Sequence, residues 1–337
     1  MSDDTNMATP ATAKSVRVSV LVRVDDPNLD LSPYVKSFNN QILDDMEVLF
    51  FVTQDDEFES ALAILRDYAK RDKRIRVIQT KTTDYGNIMN SAMRLAAGEY
   101  LSIISPSDFV DPEMFIELFA LAKKHDAEVV RSNYFEHQGE SDRIHESFLK
   151  EDADKIIDPL KDVSVFYQPP VIGCGLYQKS YLENNKIKFV KDQGSWVQGP
   201  GFNIKVLSLA ENIVLTEKAY LHHVDTAGHI EKADIFKIND EYDDAEDVLK
   251  SKNVWSNYKY IFEATKFASF FLTMLRIEKK EDLTKFVLRT RAEFFDADQK
   301  NLLVKRCFPK DHWKYLQLIL KYPPQIFLTS IKKFRKR

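Results

Sequence analysis

The amino-acid sequence predicts an α/β fold with a doubly wound, mainly parallel sheet, followed by an all-helical C-terminal region. Apolar segments of strand length alternate with amphipathic segments up to residue 135, a pattern typical of a parallel sheet covered by helices. From residue 231 onward the pattern is helical throughout. Glycine is scarce, with 9 in 337 residues, so neither a Walker loop nor a dinucleotide fingerprint is expected.

The predicted strands are apolar runs bounded by polar or turn residues. In the first half of the chain they cover residues 16–24, 46–53, 75–80, 99–105 and 127–135. The predicted helices between them cover residues 32–43, 57–72, 85–98 and 111–126. Pro33 and Pro112 stand where helices tolerate proline, Asp111 is the expected N-cap of the fourth helix, and Gly98 the expected end of the third.

The middle of the chain, residues 136–230, is less regular. Residues 139–163 predict loop and short helix, residues 203–212 a helix and residues 213–224 a strand. We therefore expect three parts along the chain: a disordered leader over residues 1–15, an α/β domain over 16–230, and a helical region with a basic tail over 231–337.

The composition excludes several classes of function. The net charge of −4 and the absence of a binding motif argue against nucleic acid as a partner. The two cysteines, Cys174 and Cys307, lie far apart without metal-ligand spacing, which suits a reducing compartment. With no apolar run of the ~20 residues that span a bilayer, and no apolar leader, the chain is expected to be cytoplasmic.

The basic tail, residues 322–337, supports two interpretations. Ile326, Phe327, Ile331 and Phe334 are interspersed with lysine and arginine, and such an amphipathic end can lie peripherally on the anionic inner face of the plasma membrane. The alternative is a solvated helix end whose cations suit the helix dipole.

Several motifs occur in a fixed order along the chain. They are VSVLV, MEVLF, YGNIMNSAMRLAAGEYLSII, DFVDPEMF, LAKKHDAEVVRSNYF, YQKSYLENNKIKF and FNIKVLSLAENIVLTEKAYLHH. In this order they resemble the bacterial family 2 glycosyltransferases of the GT-A fold, above all those that build capsule and other surface polysaccharides. The resemblance covers residues 16–230.

The resemblance implies transfer of a sugar from a nucleotide-diphosphate donor to the hydroxyl of a glycan acceptor. Carboxylates of the family hold Mg²⁺ or Mn²⁺ against the leaving diphosphate, and an acid acts as general base. By position, the donor-binding candidates are Asp26, Asp55, Tyr85, Asn90, Ser105, Ser107 and Asp108.

The metal-binding motif of the family departs from its usual form in this chain. The family usually carries D-x-D-D after the fourth strand, where the first and third acids serve the ribose and the metal. Ser105 and Ser107 occupy these positions, and Asp108, the surviving acid, is expected mainly to start the next helix. A serine hydroxyl is a poor ligand for a divalent cation, so no metal ligands of the usual kind are predicted.

The acceptor side departs from the family as well. Gly173 and Gly175 replace a usual Trp and Lys, and Gly199, preceded by Gln198, stands at the expected position of the base. The candidates for a substitute base are His223 and Asp225. His222 and His223 are adjacent on a predicted strand and therefore face opposite ways, so at most one can reach the site, and a structural or exposed role is favoured.

Three hypotheses follow. The first is a family member with inactive or strongly impaired catalysis, which acts in surface-glycan assembly. The second is an active, metal-independent transferase that uses His223 or Asp225 as base. The third is a non-catalytic scaffold or partner subunit of another transferase at the membrane surface. The first is preferred, because the losses concentrate in the site while the strand and helix patterns are well formed.

Overall fold

A computed structural model describes residues 15–139, 141–147, 153–191, 195–224 and 235–334, without the side chains of 195–198 and 332–334. Apart from Ser15, the predicted leader lies outside these residues. Over the described ranges the chain forms a mixed, mostly parallel sheet with helices on both faces, followed by a helical C-terminal region. This arrangement confirms the predicted fold class.

The strands of the described residues form one sheet in the order β3-β2-β1-β4-β9-β6-β10-β5, with β7 beside β6 and β8 beside β10. The first four strands pair in parallel, as do β6 and β10, whereas β9 is antiparallel to both of its neighbours. The strands are β1 (Val18–Val24), β2 (Met46–Thr53), β3 (Ile75–Thr80), β4 (Tyr100–Ile104), β5 (Phe109–Val110), β6 (Val129–Gln138), β7 (Ser141–His145), β8 (Ile156–Ile157), β9 (Gly175–Gln178) and β10 (Ile213–Val224).

The helices are divided between the two faces of the sheet. Their bounds are α1 (Ser32–Asn39), α2 (Glu59–Arg71), α3 (Tyr85–Leu95), α4 (Met114–His125), α5 (Lys179–Asn184), α6 (Ser195–Leu209), α7 (Ile238–Ser251), α8 (Trp255–Arg276), α9 (Lys280–Gln299), α10 (Lys310–Lys321) and α11 (Pro324–Phe334). Because side chains alternate along a strand, Val48 and Phe50 of β2 pack with α1, α2 and α4, whereas Leu49 and Phe51 pack with α3 and the later helices.

The C-terminal helices share a core with the sheet. Phe267 of α8 and Phe294 of α9 belong to the same buried cluster as Met89 of α3 and Leu101 of β4. The rings of Phe267 and Phe294 meet edge to face, with centroids 5.3 Å apart, the geometry that aromatic pairs prefer. The boundary at residues 230 and 231 stays a prediction.

The prediction of loop and short helix for residues 139–163 was wrong in part, because β7 and β8 lie there. Most β7 side chains are exposed, so the alternation that marks a half-buried strand is missing from the sequence. The helix expected from residue 203 begins at Ser195 and contains Pro200, which is usually a helix breaker. Asp111 does not cap α4, since the N-cap is Glu113.

The last helix, α11, directs part of its apolar face into the core. Phe327 and Ile331 are fully buried in the cluster shared with α8 and α9, whereas Ile326 is exposed. Among the residues that the structure describes, none of the helices has the length and apolar character needed to cross a membrane.

Candidate active site at the carboxyl ends of the parallel strands

The loop after β4 is the turn that carries Ser105, Ser107 and Asp108. The backbone N–H of Asp108 donates to the carbonyl of Ser105 at 3.1 Å, which closes the turn. The hydroxyl groups of Ser105 and Ser107 lie 2.9 Å apart and bond to each other. Ser107 and Asp108 are buried. The loop stands at the carboxyl edge of the parallel strands, where open α/β sheets bind their ligands.

Asp108 is bound from β10. Its Oδ1 accepts from the backbone N–H of Val224 at 3.0 Å and lies 3.1 Å from Nδ1 of His223. The pairing of β5 with β10, in which His222 stands opposite Phe109, brings these residues together. The expectation that Asp108 mainly starts the next helix was therefore wrong, since its carboxylate ties the loop to β10.

His222 points away from Asp108, as the alternation along a strand requires. Its ring stacks on Phe109 and on Phe135, with centroids 4.3 Å and 4.6 Å away. Its Nε2 lies 3.2 Å from Oδ1 of Asp111, the residue that had been expected to cap α4. Of the two histidines, His223 is thus the one that reaches the loop after β4.

The end of β1 contributes a cation that sequence reasoning missed. Arg23 pairs with Asp25 at 2.9 Å, donates to the carbonyl of Thr83 at 2.8 Å and lies over the ring of Tyr85 at 5.9 Å. Burial raises the pKa of Tyr85 well above its usual value, the charge of Asp25 adds to this increase, and Arg23 opposes it. Arg23 and Tyr85 thus form one wall of the carboxyl edge, beside the loop after β3.

The two donor-side aspartates that follow β1 and β2 hold their own loops. Oδ1 of Asp26 accepts from the N–H of Asn28 at 2.8 Å, and Oδ1 of Asp55 accepts from the N–H of Glu57 at 3.2 Å. Both are exposed at the edge where a nucleotide would bind, and their contact with a donor stays a prediction.

Asn90 fastens α3 to a distant segment of backbone. Its side-chain amide donates to the carbonyl of Phe189 at 2.8 Å and accepts from the N–H of Phe189 at 2.9 Å. The rings of Tyr85 and Phe189 meet edge to face at 5.6 Å. These bonds give Asn90 a structural role, and its contact with a donor also stays a prediction.

Close packing explains the glycines on the predicted acceptor side. A Cβ on Gly175 would lie 2.6 Å from the carbonyl oxygen of Val130, and one on Gly199 would lie 2.9 Å from that of Pro170. A Cβ on Gly173 would lie 3.2 Å from the carbonyl oxygen of Ile103. These positions therefore have no room for a larger side chain without a shift of the backbone. The side chain of Gln198 and the whole of Asp225 lie outside the described residues.

Glu241 of α7 is a buried acid that the sequence analysis missed. It is fully buried against Gly201 of α6, and neither carboxylate oxygen has a hydrogen-bond partner among the described residues. Burial raises its pKa to about 8, although Lys205 opposes this increase. A signal was present in the sequence, because Glu241 lies in the stripe of Ile238 and Tyr242, which faces the core.

The residues after β4 do not fit the metal that the fold family implies. Hard divalent cations take oxygen ligands that are mostly carboxylates, whereas Ser105 and Ser107 offer hydroxyl groups that bond to each other. The carboxylate of Asp108 is engaged by Val224 and His223.

Comparison with known families decides the classification. The model of Glycosyl transferase family 2 matches residues 29–184, the segment that contains the loop after β4. The chain contains a bacterial family 2 glycosyltransferase domain. The family 2 domain thus includes Asp55, Tyr85, Asn90 and Asp108, and its sheet continues beyond the match with β10.

Two curated relatives give the sequence context of this family 2 domain. The EpsH protein of Bacillus subtilis, which bears the name of a glycosyltransferase, is 23% identical over 223 residues, 64% of this chain and 61% of EpsH. The poly(ribitol-phosphate) beta-glucosyltransferase of Bacillus spizizenii is 23% identical over 61% of this chain and 30% of its own length. The chain thus spans less than two thirds of each of these relatives.

Solved structures with the same fold include S. aureus TarS 1–349. Its complex with UDP-GlcNAc superposes with a TM-score of 0.70 at 16% identity, over 95% of this chain and 92% of TarS 1–349. The same TarS segment without ligand gives a TM-score of 0.69 at 15% identity. These likenesses establish the fold of the family 2 domain together with its C-terminal helices.

Proposed function

We propose that this chain binds a nucleotide-diphosphate sugar at the carboxyl edge of β1, β2 and β4 and acts in the assembly of a surface polysaccharide or a teichoic acid-type polymer. The proposal is supported by the family 2 domain, by the name of the poly(ribitol-phosphate) beta-glucosyltransferase relative, and by the binding of UDP-GlcNAc to TarS, which shares the fold. The same family chemistry implies that a glycan accepts the sugar.

We further propose that sugar transfer by this chain is inactive or strongly impaired. One observation carries the proposal: the loop after β4 offers two mutually bonded hydroxyl groups and a carboxylate that is engaged by β10. A leaving diphosphate concentrates negative charge and needs a positively charged partner. Arg23 lies at this edge, but its guanidinium group is already paired with Asp25 and bonded to the carbonyl of Thr83.

Calorimetric titration with UDP-GlcNAc, UDP-glucose and GDP-mannose, each with and without Mn²⁺, tests the proposal. We expect binding of at least one donor with an affinity that Mn²⁺ leaves unchanged, and no release of nucleoside diphosphate in the presence of acceptor glycans. Tight binding that requires Mn²⁺, or rapid transfer, would contradict impaired catalysis. No binding of any donor would contradict the donor site itself.

A second candidate function is supported by the pair of Asp108 and His223. A buried carboxylate at one ring nitrogen orients a histidine for general base catalysis, and Asp108 holds this position at Nδ1 of His223. Metal-independent transfer with His223 as base would then occur. This second function predicts slow nucleotide release that His223→Gln abolishes and that Asp108→Asn reduces, with donor affinity unchanged in His223→Gln.

The third candidate is a partner subunit of another transferase at the inner face of the plasma membrane. Phe327 and Ile331 pack in the core, so membrane contact through residues 322–337 would depend on its cations. Co-sedimentation with anionic vesicles should then occur at low salt and disappear at high salt, and vesicles of neutral lipid should not bind. Binding that resists high salt would contradict this electrostatic contact.

A further inference from the structure

Three strands bring two histidines and a carboxylate together on the face of β10 opposite His223. His137 lies on β6, Asp142 on β7 and His222 on β10. His137 stands directly opposite Asp142 in the β6–β7 hairpin, and opposite Val224 in the pairing of β6 with β10. We call these three residues, His137, Asp142 and His222, the hairpin cluster.

The ligand atoms of the hairpin cluster converge. Nδ1 of His137 lies 2.8 Å from Oδ1 of Asp142, and Nδ1 of His222 lies 2.9 Å from Oδ2 of the same carboxylate. One ligand atom from each residue lies within 4.8 Å of those of the other two. Tetrahedral ligands at about 2.0–2.2 Å from a zinc ion are roughly 3.4 Å apart, so small side-chain movements would admit an ion.

The ring of His222 is oriented for ligation. Its Nε2 lies 3.2 Å from Oδ1 of Asp111, and the rings of Phe109 and Phe135 stack against its faces. When Nε2–H donates to Asp111, Nδ1 is the ring nitrogen that can offer a lone pair to a metal ion. This Nδ1 is buried and lies 2.9 Å from Oδ2 of Asp142.

We propose that the hairpin cluster binds a divalent transition metal of the zinc type through Nδ1 of His137, Nδ1 of His222 and the carboxylate of Asp142. Two imidazoles and a carboxylate suit zinc, cobalt and nickel, whereas magnesium and calcium prefer oxygen ligands alone. A carboxylate on the second ring nitrogen, as Asp111 provides, is the usual outer partner of a metal-bound histidine.

The site is separate from the candidate active site. His222 and His223 point to opposite faces of β10, and only His223 meets Asp108. The ion would join β7, whose side chains are mostly exposed, to β6 and β10. Asp142 is 35% exposed, which leaves a path for the ion and room for a water molecule as fourth ligand.

Metal titration of the full chain, freed of any affinity tag and of metal by chelation, tests the proposal. We expect one equivalent of Zn²⁺ to bind by calorimetry, and one equivalent of Co²⁺ to give the intense visible absorption of a tetrahedral site. Asp142→Asn should weaken zinc binding by at least about tenfold, and Asp111→Ala by about 10–100-fold.

Glu136→Gln is the matched control. Glu136 lies on the same hairpin and pairs with His145 at 3.0 Å outside the hairpin cluster, so its loss should leave zinc binding unchanged. His137→Gln is a second ligand variant, and circular dichroism verifies the folding of each variant. Absence of stoichiometric zinc binding, or equal binding by wild type, Asp142→Asn and His137→Gln, would overturn the proposal.

Discussion

Nδ1 of His223 lies 3.1 Å from Oδ1 of Asp108, which joins the end of β10 to the loop after β4. The same oxygen accepts from the backbone N–H of Val224 at 3.0 Å. Asp108 follows Ser105 and Ser107 in this loop. Its carboxylate holds together the edge of the sheet at which a donor would bind.

Removal of the Asp108 carboxylate should therefore destabilise the fold. Asp108→Ala leaves the partly buried N–H of Val224 without its acceptor, which costs about 1 kcal/mol, the lower end of the range for an unsatisfied group. Asp108→Asn retains an oxygen for Val224 and should cost less. Urea denaturation gives the free energy of unfolding of both variants. Equal stability of Asp108→Ala and wild type would show that this carboxylate is not structural.

Glu241 should make stability depend on pH. Its pKa is raised from 4.5 to about 8 in the folded protein, so the folded state retains a proton that the unfolded state loses. The contribution of Glu241 to the free energy of unfolding is therefore largest below pH 4.5. It decreases as the pH rises to 8, by at most about 1.4 kcal/mol per pH unit.

The comparison with Glu241→Gln isolates this contribution. The variant does not titrate at this position, so its stability relative to wild type should increase between pH 5 and pH 8. Glu281→Gln, which removes an exposed carboxyl group of α9, is the matched control for the loss of a carboxyl group. Parallel pH profiles of wild type and Glu241→Gln in urea denaturation would contradict the prediction.

An acid introduced into the loop after β4 should create metal dependence. Ser107→Asp places a second carboxylate beside Asp108, and paired carboxylates bind hard divalent cations. UDP should then bind more tightly with Mn²⁺ in this variant, as calorimetry can measure, and Mn²⁺ should have no effect on wild type.

Ser107→Asn is the matched control, because asparagine has nearly the same shape as aspartate but carries no charge. Ser107 is buried, so Ser105→Asp, at a less buried position, provides a second variant if Ser107→Asp does not fold. Affinity for UDP that is insensitive to Mn²⁺ in both aspartate variants would show that the loop after β4 does not face the diphosphate.

The glycines should differ in their tolerance of alanine. Gly175→Ala brings a Cβ within 2.6 Å of the carbonyl oxygen of Val130 inside the sheet, and overpacking of this kind costs about 1–3 kcal/mol. Gly199→Ala meets Pro170 at 2.9 Å, but alanine is about 0.8–1.0 kcal/mol better than glycine in a helix. Urea denaturation should therefore show the larger loss for Gly175→Ala, and the reverse order would contradict this packing argument.

Local sequence patterns were sufficient to predict most of the longer strands of the sheet. The predicted bounds 46–53, 75–80 and 213–224 coincide with β2, β3 and β10, because runs of β-branched and other apolar residues bounded by polar or turn residues mark these strands. The exposed strand β7 and the short strands β5, β8 and β9 carry no such run. These strands form because neighbouring strands offer them unpaired backbone groups.

Some features of the candidate site could likewise be predicted from the sequence, whereas others depend on the tertiary structure. Its place after β4, and the presence of serine at positions 105 and 107, can be read from the sequence. The pairing of Asp108 with His223 joins residues 115 positions apart, and the hairpin cluster depends on the register of three strands. Such contacts arise when β10 pairs with β5 and β6, because sequence periodicity records which face a residue occupies but not which distant residue lies opposite.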